Sequence, residues 1–233
     1  MLTLLAIAAL ADTVATELPS RPPDERWVAT VAVLGERKIP ILGTVRFRTD
    51  TNALADVWRT EQGWLISQQT CGVRFAKTAG AVLTLAEHAP SAMPPAVMTF
   101  VQQDEVWSAG PWPSGWSESD HDGDGKPGIT VNVKAPICGQ GELHVESEAT
   151  SVARGAPGDG TTLEGDILVR VIQTNHSAKG LCLKLLPTRT DETMLGRFAY
   201  QQVPVDTTCS TVTAFPDPQP EKAQPLDASL LQD

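Results

Sequence analysis

The chain has 233 residues, 41% of them hydrophobic, so it is long enough to bury a sizeable core. Its 18 basic and 28 acidic residues give a formal net charge of −10. That charge argues against nucleic acid and anionic membrane surfaces as partners, and it is compatible with binding cations. No internal repeat is visible, which argues against a propeller or a solenoid.

The first eleven residues have the features of a secretory signal peptide. An apolar run from Leu2 to Ala11 ends in a small-x-small pattern, as at a cleavage site. It is too short for a membrane-spanning helix, which needs about 20 residues. No Lys or Arg follows Met1, and a buried apolar strand or short helix is the alternative. We predict a signal peptide over 1–11, a flexible segment over 12–25 and an exported protein without a membrane span.

The cysteines are even in number and widely spaced, with no Cys-x-x-Cys pair; they are Cys71, Cys138, Cys182 and Cys209. This spacing does not fit a zinc finger or a thioredoxin-type site. Export would place the cysteines in an oxidising compartment, where two disulfides are expected. Three pairings are possible. We favour Cys71 with Cys209, which would tie the end of the chain back to the domain, and Cys138 with Cys182. Four free thiols are the alternative if the chain is not exported.

From Trp27 onward, short β-branched runs alternate with turn residues, as in antiparallel β structure. Two hairpins are predicted first, one pairing 27–34 with 41–48 and one pairing 53–60 with 64–75. Further strands are predicted over 129–135, 141–150, 163–173, 181–186 and 196–203. We therefore predict an all-β fold in a single domain over 26–214. Its architecture would be an antiparallel barrel, lipocalin-like, or a sandwich.

The middle and the end of the chain are less regular. Ala79 to His88 is the best helical segment, and the prolines that follow prevent a longer helix, so at most one short helix is expected. We interpret 78–103 as a crossover that covers one end of the barrel. The tail over 215–233 is rich in proline and charge, which predicts disorder.

An acidic loop, "SDHDGDGKPGITVNV", begins at Ser119. Asp120, Asp122 and Asp124 occupy positions 1, 3 and 5 of a calcium-type loop, and a glycine takes position 6, where the backbone must turn sharply. The carbonyl of Lys126, at position 7, is the natural fourth ligand. Because calcium prefers six to eight oxygen ligands, this pattern predicts a calcium site.

The loop departs from the EF-hand pattern. Gly128 and Val131 stand at positions 9 and 12, where acids are expected, and a strand follows instead of a helix. The missing ligands must come from Glu118, from Asp159 or from water. We expect weak structural binding, with a dissociation constant of about 10⁻⁴ to 10⁻³ M. The alternative is a solvent-exposed turn built from Asp and Gly.

Tryptophans precede the acidic loop in "WSAGPWPSGW". Trp112 and Trp116 beside a calcium ion could cover the apolar face of a sugar, which would make the chain a carbohydrate-binding module. More often, such residues close the end of a barrel. Little in the sequence points to an enzyme, since the four histidines lack zinc-site spacing and Ser114 does not lie in a GxSxG elbow. No catalytic residue is predicted.

Several segments resemble predicted exported β-rich proteins of unknown function from myxobacteria and related bacteria. The similar segments are "IPILGTVR", "CGVRF", "MPPAV", "DHDGDGKPGITVNV", "GELHVES", "EGDILVRVI" and "FAYQQVPVDTTC". The resemblance implies an exported domain, periplasmic or extracellular. In it Cys71 and Cys209 match recurring positions, and Cys138 and Cys182 look like an added pair.

The resemblance implies no activity. The expected function is therefore a non-enzymatic exported β domain with a calcium-stabilised loop and a binding or structural role. Its partner would be a small molecule, a glycan or a protein. Besides the carbohydrate-binding module, the alternatives are a lipocalin-like carrier of a small apolar ligand and a hydrolase whose site the sequence does not show.

Overall fold

A computed structural model provides the structure of the protein. It describes residues 18–39, 43–78, 80–136, 139–158, 160–180, 183–212 and 217–231. The predicted signal peptide and the predicted pair Cys138 and Cys182 lie outside these residues, so both stay predictions. Within the described part of the chain, no helix has the length and apolar character needed to cross a membrane.

The described residues form ten strands and one short α-helix. The strands are β1 (Glu25–Ile39), β2 (Gly43–Arg59), β3 (Gly63–Phe75), β4 (Val82–Leu85), β5 (Ala96–Gln103), β6 (Val106–Trp116), β7 (Ile129–Ala135), β8 (Gly139–Pro157), β9 (Thr162–Lys179) and β10 (Arg189–Val203). The helix is α1 (Ala89–Ala92). Single 3₁₀ turns cover Leu183–Leu185, Cys209–Thr211, Pro220–Lys222 and Ala228–Leu231.

All ten strands belong to one antiparallel sheet, in the order β4-β7-β8-β6-β5-β3-β2-β1-β10-β9. An additional pairing joins β8 to β9, so that eight strands close into a ring and β7 and β4 extend from it. The predicted all-β antiparallel class with at most one short helix is thereby confirmed for the described residues.

Strand β8 is shared by two partners along one edge. Its second half pairs with β6, from Trp107 opposite Gly155 to Trp116 opposite Ser147. Its first half pairs with β7, starting at Ile129 opposite Val145. Strands β6 and β7 therefore occupy one continuous strand position, and the twelve residues between them, 117–128, leave the sheet as a loop.

The inside of the ring is filled by side chains at alternate positions of all eight strands. Phe100 on β5 lies opposite β10 across the ring, yet its ring centroid is 5.8 Å from that of Phe198 and 6.1 Å from that of Tyr200. Burying one such side chain contributes about 1.5–3 kcal/mol. Burial also raises the pKa of the Tyr200 phenol, which donates a hydrogen bond to Gln68 Oε1 at 2.6 Å.

The structure differs from the sequence prediction in the middle of the chain. The predicted helix over 79–88 is wrong, because Val82–Leu85 forms β4, whose leucines pack with Val131 and Val133 of β7. The predicted crossover contains β5, which pairs with β3. The predicted strand over 181–186 contains a 3₁₀ turn at Leu183–Leu185 instead.

The tail also differs from its prediction of disorder. Residues 217–231 lie against the sheet and include two 3₁₀ turns. Leu231 is 7% exposed and packs with Val152 and Leu168. The Gln224 amide donates to Asp166 Oδ1 at 3.1 Å. Apolar contacts spaced along the tail thus offset its polar composition.

The predicted disulfide between Cys71 and Cys209 is confirmed. It joins β3 to the 3₁₀ turn after β10, with a Cα–Cα distance of 5.1 Å and a sequence separation of 138 residues. A bridge across so long a stretch restricts the unfolded chain strongly, which in the chain-entropy model stabilises the fold by several kcal/mol.

Two glycines allow the ring to close. Gly155 on β8 lies directly opposite Gly165 on β9. A Cβ on Gly165 would lie 2.1 Å from the Arg154 carbonyl oxygen and 2.4 Å from the Gly155 Cα. A Cβ on Gly155 would lie 2.9 Å from the ring of Phe198. The closure therefore has no room for a methyl group at this point.

We predict that Gly165→Ala lowers the free energy of unfolding by about 1–3 kcal/mol, because the strands must separate to admit the methyl group. Urea denaturation measures this. Gly72→Ala on β3 is the matched control, since a Cβ there meets no atom within 4 Å, and its effect should stay within about 0.5 kcal/mol. Equal midpoints for the two variants would contradict this account of the closure.

Candidate metal site

The loop 117–128 closes on itself where it leaves and rejoins the sheet. The Gly128 amide donates to the carbonyls of Glu118 at 2.9 Å and Ser119 at 3.1 Å, and the His121 amide donates to the Gly128 carbonyl at 3.1 Å. Gly128 has a φ of +77°, and a Cβ there would lie 2.1 Å from the Val145 carbonyl oxygen on β8. Position 9 of the loop therefore requires glycine and cannot carry an acid.

Asp120 organises the turn of the loop. Its Oδ1 accepts hydrogen bonds from the amides of Gly123 at 2.8 Å and Asp124 at 3.1 Å, and its Oδ2 accepts one from Gly125 at 2.8 Å. The Gly125 amide is the largest cause that lowers the pKa of the Asp120 carboxyl, with those of Gly123 and Asp124 adding to it. The loop backbone therefore favours the charged carboxylate.

Asp122 and Asp124 are anchored by the strand that follows. The Thr130 amide donates to Asp122 Oδ2 at 2.7 Å, and the Thr130 hydroxyl donates to Asp124 Oδ2 at 2.7 Å. The Lys126 amide donates to the other oxygen of Asp124 at 2.8 Å. One buried residue at the start of β7 thus orients two carboxylates.

The three carboxylates converge on a common centre. One oxygen from each of Asp120, Asp122 and Asp124 lies within 4.8 Å of the other two. Oxygens that bind one calcium ion at 2.3–2.6 Å can be at most about 5 Å apart, so this spacing fits a single ion. The Oδ1 of Asp122 is buried and has no hydrogen-bond partner. A buried carboxylate oxygen without a partner is costly unless a cation or water meets it.

The structure brings together three of the four predicted ligands. Lys126 lies in the loop, and its carbonyl as a ligand stays a prediction. Among the described residues, the group holds no His, Cys, Asp or Glu besides the three aspartates. Glu118 is thus not part of it, and Asp159 lies outside the described residues. Water would have to complete the coordination sphere of an ion here.

The two tryptophans predicted to bind a sugar do not form an exposed platform. Trp112 is 6% exposed and belongs to the cluster inside the ring. Trp116 is half-buried, packs with Met93 and Ile129, and donates its indole N–H to the Val145 carbonyl at 2.6 Å. Both rings pack against neighbouring side chains, so this geometry does not support a sugar platform beside the loop.

Sequence reasoning missed the part played by Thr130. The only local sign is a hydroxyl residue at the start of the predicted strand "ITVNV", ten positions after Asp120. Its role depends on the position of β7 against β8, which the loop sequence does not reveal.

Comparison with known proteins gives no relative from which a function could be carried over. No family model, no curated protein and no solved structure matches the chain.

We predict that Asp120→Asn lowers stability in a pH-dependent way. The folded-state pKa of Asp120 is lowered, so its charge contributes stability that is complete above the unfolded value of about 3.9. That contribution is lost as the pH falls through the folded pKa. Urea denaturation in EDTA from pH 6 to pH 3 should therefore show a constant gap between wild type and variant above about pH 5, which narrows below about pH 4. A gap that stays constant to pH 3 would contradict it.

Proposed function

We propose that the protein is an exported, non-enzymatic β domain in which a calcium ion holds the loop 117–128, with a binding or structural role. The observation that carries the proposal is the buried Oδ1 of Asp122, which lacks a partner inside a cluster of three carboxylates. The neighbouring amides and the Thr130 hydroxyl leave this oxygen unsatisfied. A cation at the centre of the cluster would satisfy it and relieve the repulsion among the carboxylates.

The donor set favours calcium over the other common metals. Its side-chain ligands are all carboxylate oxygens, whereas zinc sites rely mainly on Cys and His. Magnesium demands a near-ideal octahedron, while calcium accepts irregular spheres that water completes. Three carboxylates from one loop fit the irregular coordination of calcium. The expected dissociation constant for calcium is about 10⁻⁴ to 10⁻³ M. Such an affinity suits the millimolar calcium outside cells.

Export is supported by the signal-like N-terminus and by the disulfide between Cys71 and Cys209, which is consistent with an oxidising compartment. The closed ring of eight strands with a continuous internal cluster supports a small antiparallel barrel. The resemblance to exported bacterial β-rich proteins agrees with both.

A lipocalin-like carrier is the weaker alternative. A carrier needs space inside the ring for an apolar ligand. Here, side chains from opposite strands meet across the interior, as the contacts of Phe100 with Phe198 and Tyr200 demonstrate. The packing supports a solid scaffold that presents its loops.

Calorimetric titration of calcium into the mature protein tests the proposal. We expect a heat of binding with the weak affinity given above. At 10 mM calcium, the free energy of unfolding should then rise by about 1.4–2.7 kcal/mol. Asp122→Asn should weaken binding by about tenfold or more, because it removes a charged ligand.

Glu118→Gln is the matched control. It removes one negative charge from the same loop but leaves the three aspartates in place, so the affinity should change little. Absence of binding heat and of any stabilisation by 10 mM calcium would refute the proposal. If Asp122→Asn and Glu118→Gln weaken calcium binding equally, then general electrostatic attraction, and not ligation by the aspartates, explains the binding.

A further inference from the structure

A second site lies at the end of the ring remote from the acidic loop. The turns β2–β3 and β5–β6 line an open depression with a volume of about 590 Å³. We call it the Trp107 cup and define it by Arg59, Glu61, Gln62, Trp64, Gln103 and Trp107. Strand β6 separates it from the acidic loop by roughly 30 Å.

Trp107, which lines the cup, carries an unsatisfied donor. Trp107 is 7% exposed, and its indole N–H is buried without a hydrogen-bond partner. Three other indoles among the described residues are paired, since Trp27 donates to Glu25, Trp58 to the Arg21 carbonyl and Trp116 to the Val145 carbonyl. A buried donor left unpaired destabilises the fold. A hydrogen-bond acceptor from outside the chain would therefore satisfy the Trp107 N–H.

The walls of the cup are fixed by contacts between the two turns and among the aromatic rings. The backbone N–H of Gln102 donates a hydrogen bond to the backbone carbonyl of Gln62 at 3.2 Å, and this bond joins the two turns. The rings of Trp64 and Trp107 have centroids 4.3 Å apart. The guanidinium of Arg59 lies 5.6 Å from the Trp64 ring centroid and is paired with Glu25. Because the Trp107 N–H is buried, a ligand can accept its hydrogen bond only if side chains of the cup rotate away from it.

The chemistry of the rim selects against charged ligands. Because Arg59 is already paired with Glu25, the carboxylates of Glu61 and Asp104 leave the rim negative, which disfavours anions. A simple cation has no acceptor for the Trp107 N–H. A hydroxyl group both donates and accepts, and so do the amides of Gln62 and Gln103.

We infer that the Trp107 cup binds an uncharged saccharide, with one ligand oxygen accepting the Trp107 indole N–H. This site is independent of calcium. It also differs from the sugar platform predicted at Trp112 and Trp116, which the packing does not support.

The test is a titration of protein labelled with ¹⁵N-tryptophan, followed through its indole signals, which single Trp→Phe variants assign. The probes are glucose, galactose, mannose, N-acetylglucosamine, maltose and cellobiose, with glucuronate and glucosamine as charged counterparts. We expect at least one neutral sugar to shift the Trp107 signal saturably while the Trp58 and Trp116 signals stay in place. The shift should persist in EDTA, which separates this site from the calcium loop.

Variants then test the contacts. Trp107→Phe removes the N–H together with part of the buried ring volume, and should weaken binding by about fivefold or more. Gln103→Ala, at an exposed rim position, should weaken binding without changing the urea midpoint, and it remains informative if Trp107→Phe fails to fold. Trp58→Phe, outside the cup, should bind as the wild type does.

Three results would overturn the inference. One is the failure of every neutral sugar to move the Trp107 signal, which would mean that the indole is satisfied by trapped water only. Another is unchanged affinity in both Trp107→Phe and Gln103→Ala. The third is a response to the charged probes alone, which would exclude the neutral class.

Discussion

Strand β8 imposes the constraint on which the rest of the structure depends. At 19 residues it is longer than either strand beside it on one edge, so β6 and β7 follow one another along that edge. Its other edge pairs with β9 and closes the ring. Because β6 and β7 share one line, the chain between them must leave the sheet, and the register of both strands fixes where it leaves and returns. The acidic loop is a consequence of this arrangement.

A filled ring determines where ligands can bind. Aromatic side chains meet across the interior, and the glycine contact between β8 and β9 leaves no space at the closure. The loops and turns, where the chain leaves the strands, lie outside this filled interior. Both proposed sites are of this kind, since one is the excursion between β6 and β7 and the other lies between two hairpin turns. Each also contains a buried polar atom that no protein group satisfies.

The sequence predicted clearly alternating strands and the spacing of the loop aspartates well, but it did not reveal contacts that depend on how the strands pack. Strand β7 has the predicted bounds, 129–135, because its alternation is clear, and the three aspartates converge because their spacing is a property of the loop. Strand β6 was missed because "WSAGPWPSGW" has two prolines and two glycines, which indicate a turn. In the structure, the sheet accommodates them with a register irregularity between Ala109 and Trp112. The anchoring by Thr130 and the burial of Trp112 depend on contacts between strands, so no local pattern reveals them.

The proposed calcium site in the loop 117–128 can be tested by a crystal structure of the mature protein grown in about 10 mM calcium. We predict one ion bound by oxygens of Asp120, Asp122 and Asp124 at about 2.3–2.6 Å, with water completing its coordination. Asp122 Oδ1 should be among the ligands. A loop of the same conformation whose aspartates contact only backbone amides, Thr130 and water would contradict it.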